Sequence, residues 1–241
     1  MWKSRIASAV RKLRIFPTAV LRRVFPRSAR LGFPWVHLPD GSVTFRERGF
    51  VSASSPAMLL ARHNYETGYI RRLLSGVTAA KSLEIGCGYG RLTPTFASFS
   101  SDHVAIDINT RALTLARTTY PLFSFQHSSV AELPFADGCF DLVTAWTVLQ
   151  HISPDRISRA CSEILRVLAP GGTLLICEET RHAGVPSAAT HTWHRHMDEY
   201  ARLLKPLSLD YSSAIVEIEA LSYADAPGTV AVWRSPSASL S

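Results

Sequence analysis

The stretch Leu83-Glu84-Ile85-Gly86-Cys87-Gly88-Tyr89-Gly90-Arg91 joins a short apolar strand to a helix through three alternating glycines. Glycine is needed where the backbone takes a positive φ or approaches a ligand closely. In doubly wound α/β sheets, ligands bind outside the carboxyl ends of the strands, next to turns of this kind. The stretch therefore predicts an α/β fold with a ligand site directly after its first strand.

A dinucleotide cofactor fits this turn poorly. The GxGxxG fingerprint needs its third glycine where Arg91 stands, whereas the third glycine here is Gly90. A pyrophosphate also prefers an uncluttered helix N-terminus, and the acidic Glu84 suits a cationic amine better. Asp107 ends the next predicted strand, where a carboxylate can accept hydrogen bonds from both ribose hydroxyls. The alternative for Asp107 is a helix-capping aspartate.

Strand and helix patterns alternate outward from the turn, which predicts a parallel sheet with helices on both faces. The last two strand patterns are joined by a loop, and such a connection favours an antiparallel pair. The predicted fold class is therefore α/β: a doubly wound, mostly parallel seven-stranded sheet with an antiparallel C-terminal hairpin. The predicted strands are Ser82–Ile85, His103–Asp107, Leu122–His127, Phe140–Trp146, Thr173–Cys177, Leu207–Ile218 and Thr229–Arg234.

Helix-start signals refine this prediction. Pro56 is suited to the first position of a helix, with Ser55 as its cap, and Asn109 is suited to cap the helix after the second strand. Ser153-Pro154 has the same form and predicts a helix to about residue 168. Pro170-Gly171-Gly172 then predicts a helix stop and a turn into the fifth strand.

The charge of the 241-residue chain is unevenly distributed. Residues 1–39 carry nine Lys/Arg and no Asp or Glu, so the remainder has a net charge of −2 although the whole chain has +7. We predict a basic N-terminal arm over 1–30, an irregular lead-in over 31–55 and a single catalytic domain over 56–241.

The arm spaces its apolar residues like an amphipathic helix, which favours contact with an anionic membrane surface. Contact with nucleic acid, an organellar presequence and a solvated tail stay open as alternatives. No apolar run approaches the ~20 residues that span a bilayer, and the four cysteines form no CxxC pair. These features predict a cytoplasmic protein with reduced thiols, peripheral at a membrane if the arm binds one.

Four motifs, in order and at proper spacing, resemble those of class I S-adenosylmethionine-dependent methyltransferases. They are Leu83–Gly90, Ile106-Asp107, Leu133-Pro134-Phe135 through Phe140-Asp141-Leu142-Val143, and Arg166-Val167-Leu168-Ala169-Pro170-Gly171-Gly172. The resemblance implies a Rossmann-like enzyme with S-adenosyl-L-methionine as cofactor. It further implies transfer of a methyl group to a small-molecule, lipid or sugar acceptor.

The resemblance also implies roles for individual residues. The methionine moiety is expected at Glu84, Gly86, Cys87, Gly88 and Gly90, the ribose at Asp107, the adenine at Ile108, Ser129 and Val130, and the sulfonium near Ala145 and Trp146. Ser129 departs from the family, which commonly has Asp there, and its hydroxyl is a weaker acceptor for the adenine amine. Trp146 has a second interpretation as an aromatic residue of the core.

Catalysis and acceptor binding are assigned less directly. His151 follows the fourth strand and is the candidate general base; the alternative is a histidine bonded to backbone beneath the site. Glu178, Arg195 and Tyr200 are the candidate substrate residues. A zinc site formed by the histidines at 191, 194 and 196 lacks supporting Cys or acidic ligands, so we predict no metal.

A nucleic-acid substrate is less favoured. The fourth strand ends in Ala145-Trp146-Thr147-Val148, which is neither the Asn/Asp-Pro-Pro-aromatic motif of amino-methylating enzymes nor a Pro-Cys nucleophile. The alternative to an enzyme is a noncatalytic Rossmann-like cofactor-binding or scaffold protein, for which Ser129 is the one indication. The oligomeric state does not follow from the sequence.

Overall fold

The computed structural model describes residues 35–37, 43–45, 56–180, 192–215 and 228–237. Two compact units divide the chain, and the division falls between Glu66 and Thr67 inside one helix. The first unit contains the antiparallel strands β1 (Trp35–His37) and β2 (Val43–Phe45) and the beginning of helix α1 (Pro56–Leu73). A lead-in predicted as irregular thus holds two short strands, whereas α1 begins at Pro56 as predicted. The basic arm lies outside the described residues, and the predicted domain boundaries stay predictions.

The second unit alternates strands and helices as the sequence predicts. Its elements are β3 (Ala79–Ile85), α2 (Thr93–Ala97), β4 (Ser100–Asp107), α3 (Thr110–Thr119), β5 (Ser124–His127), β6 (Phe140–Trp146), a 3₁₀ turn (Leu149–His151), α4 (Ile157–Val167), β7 (Leu168–Glu179), α5 (Met197–Leu203), β8 (Ser208–Ile215) and β9 (Gly228–Arg234).

The seven strands of this unit form one sheet in the order β5-β4-β3-β6-β7-β9-β8. The first five pair in parallel, and β9 pairs antiparallel with both β7 and β8. The predicted fold class is therefore confirmed. Strand order reverses at β3, which lies between β4 and β6, and this is the position where doubly wound sheets bind ligands.

Side chains alternate between the two faces of the sheet. On one face, Leu83 and Ile85 of β3 join a large buried cluster with residues of α4 and α5. On the other face, Ala105 of β4 packs against Leu113 and Ala116 of α3. Apolar burial on both faces explains the continuous apolar runs Val104–Ile106 in β4 and Leu174–Cys177 in β7.

Two predicted boundaries are wrong. Helix α4 begins at Ile157 without a side-chain cap, and the Ser153 carbonyl accepts the N–H groups of Arg156 and Ile157 instead. Strand β7 begins at Leu168, so Pro170-Gly171-Gly172 lies within the strand, where its pairing with β6 shifts register. The shift places the position of a Gly172 Cβ 2.8 Å from the Ala169 carbonyl oxygen, a space that only glycine fits.

Local caps are predicted more successfully. The Asn109 side chain accepts the N–H groups of Arg111 and Ala112 at the start of α3. Asp141 of the third motif has an architectural role, because its Oδ2 accepts the N–H groups of Ala80 and Lys81 at the start of β3. None of the helices in the described ranges is long and apolar enough to cross a membrane.

Candidate cofactor and acceptor site

The glycine-rich turn after β3 has the backbone that its sequence predicts. Gly86, Gly88 and Gly90 have φ values of +69°, +56° and +82°. A Cβ on Gly86 would lie 2.3 Å from Val148 Cγ2, so glycine is required for the turns after β3 and β6 to meet. Burial raises the pKa of the Cys87 thiol, and this turn therefore presents backbone rather than a thiolate nucleophile.

Asp107 joins this turn to the end of β4. Its Oδ2 accepts the Gly88 N–H at 2.7 Å, and its Oδ1 accepts the Asn109 N–H at 2.8 Å. A carboxylate oxygen can accept more than one hydrogen bond, so both oxygens keep capacity for hydroxyl donors. Asp107 thus fixes the glycine turn and lies where the sequence predicts a ribose.

The next residue, Ile108, is 68% exposed, which is unusual for a large apolar side chain. His127 Nε2 lies 3.1 Å from the Ile108 carbonyl and, since a carbonyl only accepts, donates to it. Ser129 is exposed and its Oγ accepts the Ala131 N–H, whereas Val130 is buried. Ile108 therefore offers apolar surface beside Asp107, as an adenine site needs.

Glu84 is 4% exposed and meets two polar side chains. Thr93 Oγ1 donates to Glu84 Oε2 at 2.5 Å, and His103 Nε2 lies 3.6 Å from the same oxygen. No hydrogen bond from the described residues reaches Glu84 Oε1. The carboxylate is thus held through one oxygen beneath the glycine turn.

A strained residue follows the end of strand β6 at this site. Ala145 and Trp146 are buried, and the Trp146 ring lies 6.4 Å from that of Phe96. Thr147, the next residue, has a φ of +56° and is the one non-glycine residue with positive φ in the described ranges. A left-handed conformation is unfavourable for a β-branched residue. Strain of this kind is often concentrated at functional sites.

The 3₁₀ turn after β6 carries His151. The imidazole is exposed, and its Nδ1 lies 3.5 Å from Thr192 Oγ1. The backbone of Gln150 accepts the Trp193 N–H at 2.7 Å, while its side chain accepts the Glu179 N–H. His151 is therefore exposed at the carboxyl edge of the sheet, and the hydrogen bonds of Gln150 fix the turn that carries it.

Glu178 lies directly beneath this turn and is fully buried. Its carboxylate accepts the N–H groups of Val148, Leu149 and Gln150, at 3.2, 2.9 and 2.9 Å. Burial raises the Glu178 pKa to about 7, although these three hydrogen bonds and Arg195 act in the opposite direction. These contacts favour a structural role, and the assignment of Glu178 to the acceptor stays a prediction.

Arg195 and Tyr200 are also buried, at 3% and 0% exposure. The Arg195 guanidinium donates to the carbonyls of Leu149 and Ile152 and forms an ion pair with Glu199 at 3.4 Å. Burial raises the Tyr200 pKa, and Glu178 and Arg195 are its charged neighbours. Their predicted contact with an acceptor stays untested, since these contacts lie within the protein.

The segment that carries the histidines of the candidate zinc site is described only in part, because residues 181–191 lie outside the described ranges. His194 Nδ1 lies 3.9 Å from Glu179 Oε2, and His196 Nδ1 accepts the Asp198 N–H at the start of α5. Within the described ranges, no group of three or more His, Cys, Asp or Glu residues is arranged to hold a metal ion.

Comparison with known proteins agrees with this geometry. Residues 83–176 match the model of a methyltransferase domain, which spans β3 to β7 and includes the glycine turn and Asp107. A probable S-adenosylmethionine-dependent methyltransferase of Mycolicibacterium smegmatis is 28% identical over 190 residues, 77% of this chain and 72% of that protein. The chain is thus similar to S-adenosylmethionine-dependent methyltransferases over its sheet region.

Other relatives differ in what their names say they methylate. A demethylmenaquinone methyltransferase of Renibacterium salmoninarum is 29% identical over 119 residues, 49% of each protein, so the chain spans about half of that relative. The solved N-methyltransferase NodS of Bradyrhizobium japonicum superposes with a TM-score of 0.60 over 73% of this chain and 97% of that chain, at 22% identity. This last likeness shows the fold alone.

Three residues of this candidate site escaped sequence analysis. Thr93 and His103 contact Glu84, and Thr147 adopts the strained backbone after β6. His103 had a weak signal, because it is the first residue of the predicted strand His103–Asp107, and a polar residue that a strand buries needs a partner. Nothing in the sequence around Thr147 marks a positive φ.

Proposed function

We propose that this chain transfers the methyl group of S-adenosyl-L-methionine to a small-molecule acceptor. The observation that carries the proposal is the hydrogen bond from the Gly88 N–H to Asp107, which joins the glycine turn to the end of β4. This hydrogen bond brings a backbone surface open to a ligand beside a carboxylate that can accept further hydrogen bonds. The exposed Ile108 adds an apolar surface on the same side.

These residues fit the parts of the cofactor by their chemistry. Glu84, through its Oε1, suits the amino group, the Gly86–Gly90 turn suits the methionine backbone, and Asp107 suits the two ribose hydroxyls. Ile108 and Val130 supply apolar contacts for the adenine, and the Ser129 hydroxyl is a neutral acceptor beside them. When bound, S-adenosylmethionine supplies a methyl group already activated by its positively charged sulfur.

An activated donor leaves two tasks to the protein. The first is orientation of donor and acceptor, which can supply roughly 7–11 kcal/mol of barrier reduction. The second is removal of a proton from a hydroxyl or amine acceptor, which adds about 10²–10⁴-fold in rate. We assign this second task to His151, because its imidazole is exposed on a turn that Glu178 holds.

The acceptor that we favour is an apolar quinol- or phenol-like compound, methylated at its hydroxyl or at a ring carbon that the hydroxyl activates. Support comes from the relative named as a demethylmenaquinone methyltransferase and from the basic arm, which is suited to an anionic membrane where such acceptors dissolve. Lipids and sugars with free hydroxyls are the other acceptors consistent with a general base at His151.

Calorimetric titration with S-adenosylhomocysteine, with NAD as the negative ligand, tests the cofactor assignment. We expect micromolar binding of S-adenosylhomocysteine alone, and at least tenfold weaker binding by Asp107→Ala and Asp107→Asn. Asp102→Asn is the matched control, because Asp102 lies on the same strand but at its other end. Equal affinity in the Asp107 variants would remove that residue from the ribose site.

The acceptor class is tested by following S-adenosylhomocysteine release with panels of quinols, phenols, hydroxylated lipids and sugars. Turnover with quinols or phenols that His151→Ala reduces would support the proposal. Turnover with none of them, in a protein that binds the cofactor, would favour the noncatalytic alternative.

A further inference from the structure

A line of buried polar side chains runs behind the glycine turn, on the α3 face of the sheet. Ser100 Oγ lies 2.5 Å from Ser82 Oγ, and Ser82 Oγ lies 2.7 Å from His103 Nδ1. His103 Nε2 then lies 3.6 Å from Glu84 Oε2. Ser82 is 1% exposed and His103 is 9% exposed, while Ser100 is half-buried.

The parallel pairing of β3 with β4 creates this line. Ser82 is opposite His103 in the register, and residues two apart on a strand point to the same face. Ser82 and Glu84 therefore share a face with His103 between them. Of these four residues, Glu84 belongs to a cofactor-binding motif of the sequence, whereas Ser82, Ser100 and His103 do not.

The contacts along this line differ in kind. Ser82 Oγ shares hydrogen bonds with Ser100 Oγ and His103 Nδ1, which fix the orientation of the buried imidazole. His103 Nε2 has no hydrogen-bond partner among the described residues, and at 3.6 Å from Glu84 Oε2 it contacts the carboxylate without a hydrogen bond. The Thr93 hydroxyl donates to the same oxygen.

This arrangement leaves the second carboxylate oxygen for a ligand. The Thr93 hydroxyl at Oε2 and the His103 ring beside it restrict the orientation of the Glu84 side chain. Within the described part of the chain, no hydrogen bond reaches Oε1, and a carboxylate oxygen is a suitable acceptor for a cofactor ammonium group.

We propose that His103 is a positioning residue for the amino group of the cofactor and that it acts through Glu84. The inference rests on the proposed function, in which Glu84 meets that amino group. His103 itself touches no cofactor atom. Its buried ring lies beside Glu84 Oε2 and keeps the carboxylate aimed at the glycine turn, and the hydrogen bond between Ser82 and Nδ1 holds the ring in place.

The test compares two ligands that differ in the part Glu84 is assigned to bind. S-adenosylhomocysteine carries the amino-acid moiety, whereas 5′-methylthioadenosine shares the adenosine and the sulfur but lacks the amino group. For His103→Leu and Glu84→Gln, calorimetry should give at least tenfold weaker S-adenosylhomocysteine binding and less than a twofold change for 5′-methylthioadenosine. The double variant should lose no more than the Glu84→Gln variant, because both residues act through one carboxylate.

Two further variants keep the test decisive if His103→Leu folds poorly. Ser82→Ala removes the hydrogen-bond partner of His103 Nδ1 and should weaken S-adenosylhomocysteine binding selectively, by severalfold. Thr144→Val is the matched control, because Thr144 is equally buried on the neighbouring strand β6 and its hydroxyl contacts the Leu83 carbonyl. It should alter the affinity for neither ligand.

The possible failures are distinguishable. Equal weakening of both ligands by His103→Leu and Ser82→Ala would make His103 a general structural residue and overturn the inference alone. Unchanged S-adenosylhomocysteine affinity in both variants would do the same. If the unaltered protein bound neither ligand, the proposed function itself would be overturned, and the inference with it.

Discussion

The carboxylate of Glu178 and the guanidinium of Arg195 bind the same turn, the first through its N–H groups and the second through its carbonyls. Glu178 accepts three consecutive backbone N–H groups at the start of the turn, and Arg195 donates to the carbonyls of Leu149 and Ile152. The exposed His151 is located between these attachments. Glu178 and Arg195, which the sequence predicts to contact the acceptor, thus fix the turn that carries the candidate base, His151.

Glu178 makes stability depend on pH. Its pKa is raised from 4.5 to about 7 by burial, so between these values the folded state holds a proton that the unfolded state has lost. The stabilisation from this group is complete below about pH 4.5 and is lost as the pH rises through 7, on the order of 3 kcal/mol in total. Denaturant unfolding of wild type and Glu178→Gln between pH 4 and 8 isolates this contribution. The unfolding free energy of wild type minus that of the variant should fall as the pH rises. A value that is constant, or that rises with pH, would contradict the prediction.

Thr147 is expected to tolerate glycine. Relief of left-handed strain gains roughly 1–2 kcal/mol, and the greater freedom of glycine in the unfolded chain costs about 0.4–1 kcal/mol. Thr147→Gly should therefore leave the unfolding free energy unchanged or raise it by up to about 1.6 kcal/mol. Thr144→Gly, at a buried position with ordinary backbone on the preceding strand β6, should lower it. Equal losses in the two variants would show that Thr147 is not strained.

His151→Ala is expected to lower turnover at least ~10²-fold if the imidazole is the general base. Because His151 is exposed, the substitution should leave both thermal unfolding and S-adenosylhomocysteine affinity unchanged. His196→Ala is a suitable control, since His196 is an exposed histidine whose ring nitrogen bonds within its own helix start. A loss of only a few-fold would assign His151 to the structure of the turn.

The basic arm is tested by deletion of residues 1–30. Each basic residue near an anionic surface contributes about 1 kcal/mol, so the deletion should abolish sedimentation with phosphatidylserine vesicles while leaving cofactor affinity intact. Vesicles of phosphatidylcholine provide the uncharged comparison. Equal binding to anionic vesicles with and without the arm would contradict the membrane assignment.

Local signals predicted much of the fold, because they depend on neighbouring residues. The glycine turn, the Asn109 cap and the antiparallel strands at the end of the chain follow from short-range pattern. Ser153-Pro154 carried the same kind of signal and failed, since the Ser153 carbonyl, rather than its side chain, satisfies the first helical N–H groups.

The inward direction of Glu178, Arg195 and Tyr200 could not be predicted in this way. Sequence placed all three near the carboxyl edge of the sheet, but their burial depends on how β7, the turn after β6 and α5 pack together. These segments are far apart in the chain. The same reason hid the contact between His103 and Glu84, which exists only because β3 and β4 pair in register.

The position of β9 between β7 and β8 has a consequence for synthesis of the chain. Among the described residues β8 pairs with β9 alone, so it leaves the ribosome before that partner exists, and the edge of β7 that β9 later covers is unpaired meanwhile. An edge of that kind is a template for pairing with other chains. Until Gly228–Arg234 emerges, the nascent protein is therefore at its most vulnerable to aggregation, and chaperones that cover exposed strands would matter most at that moment.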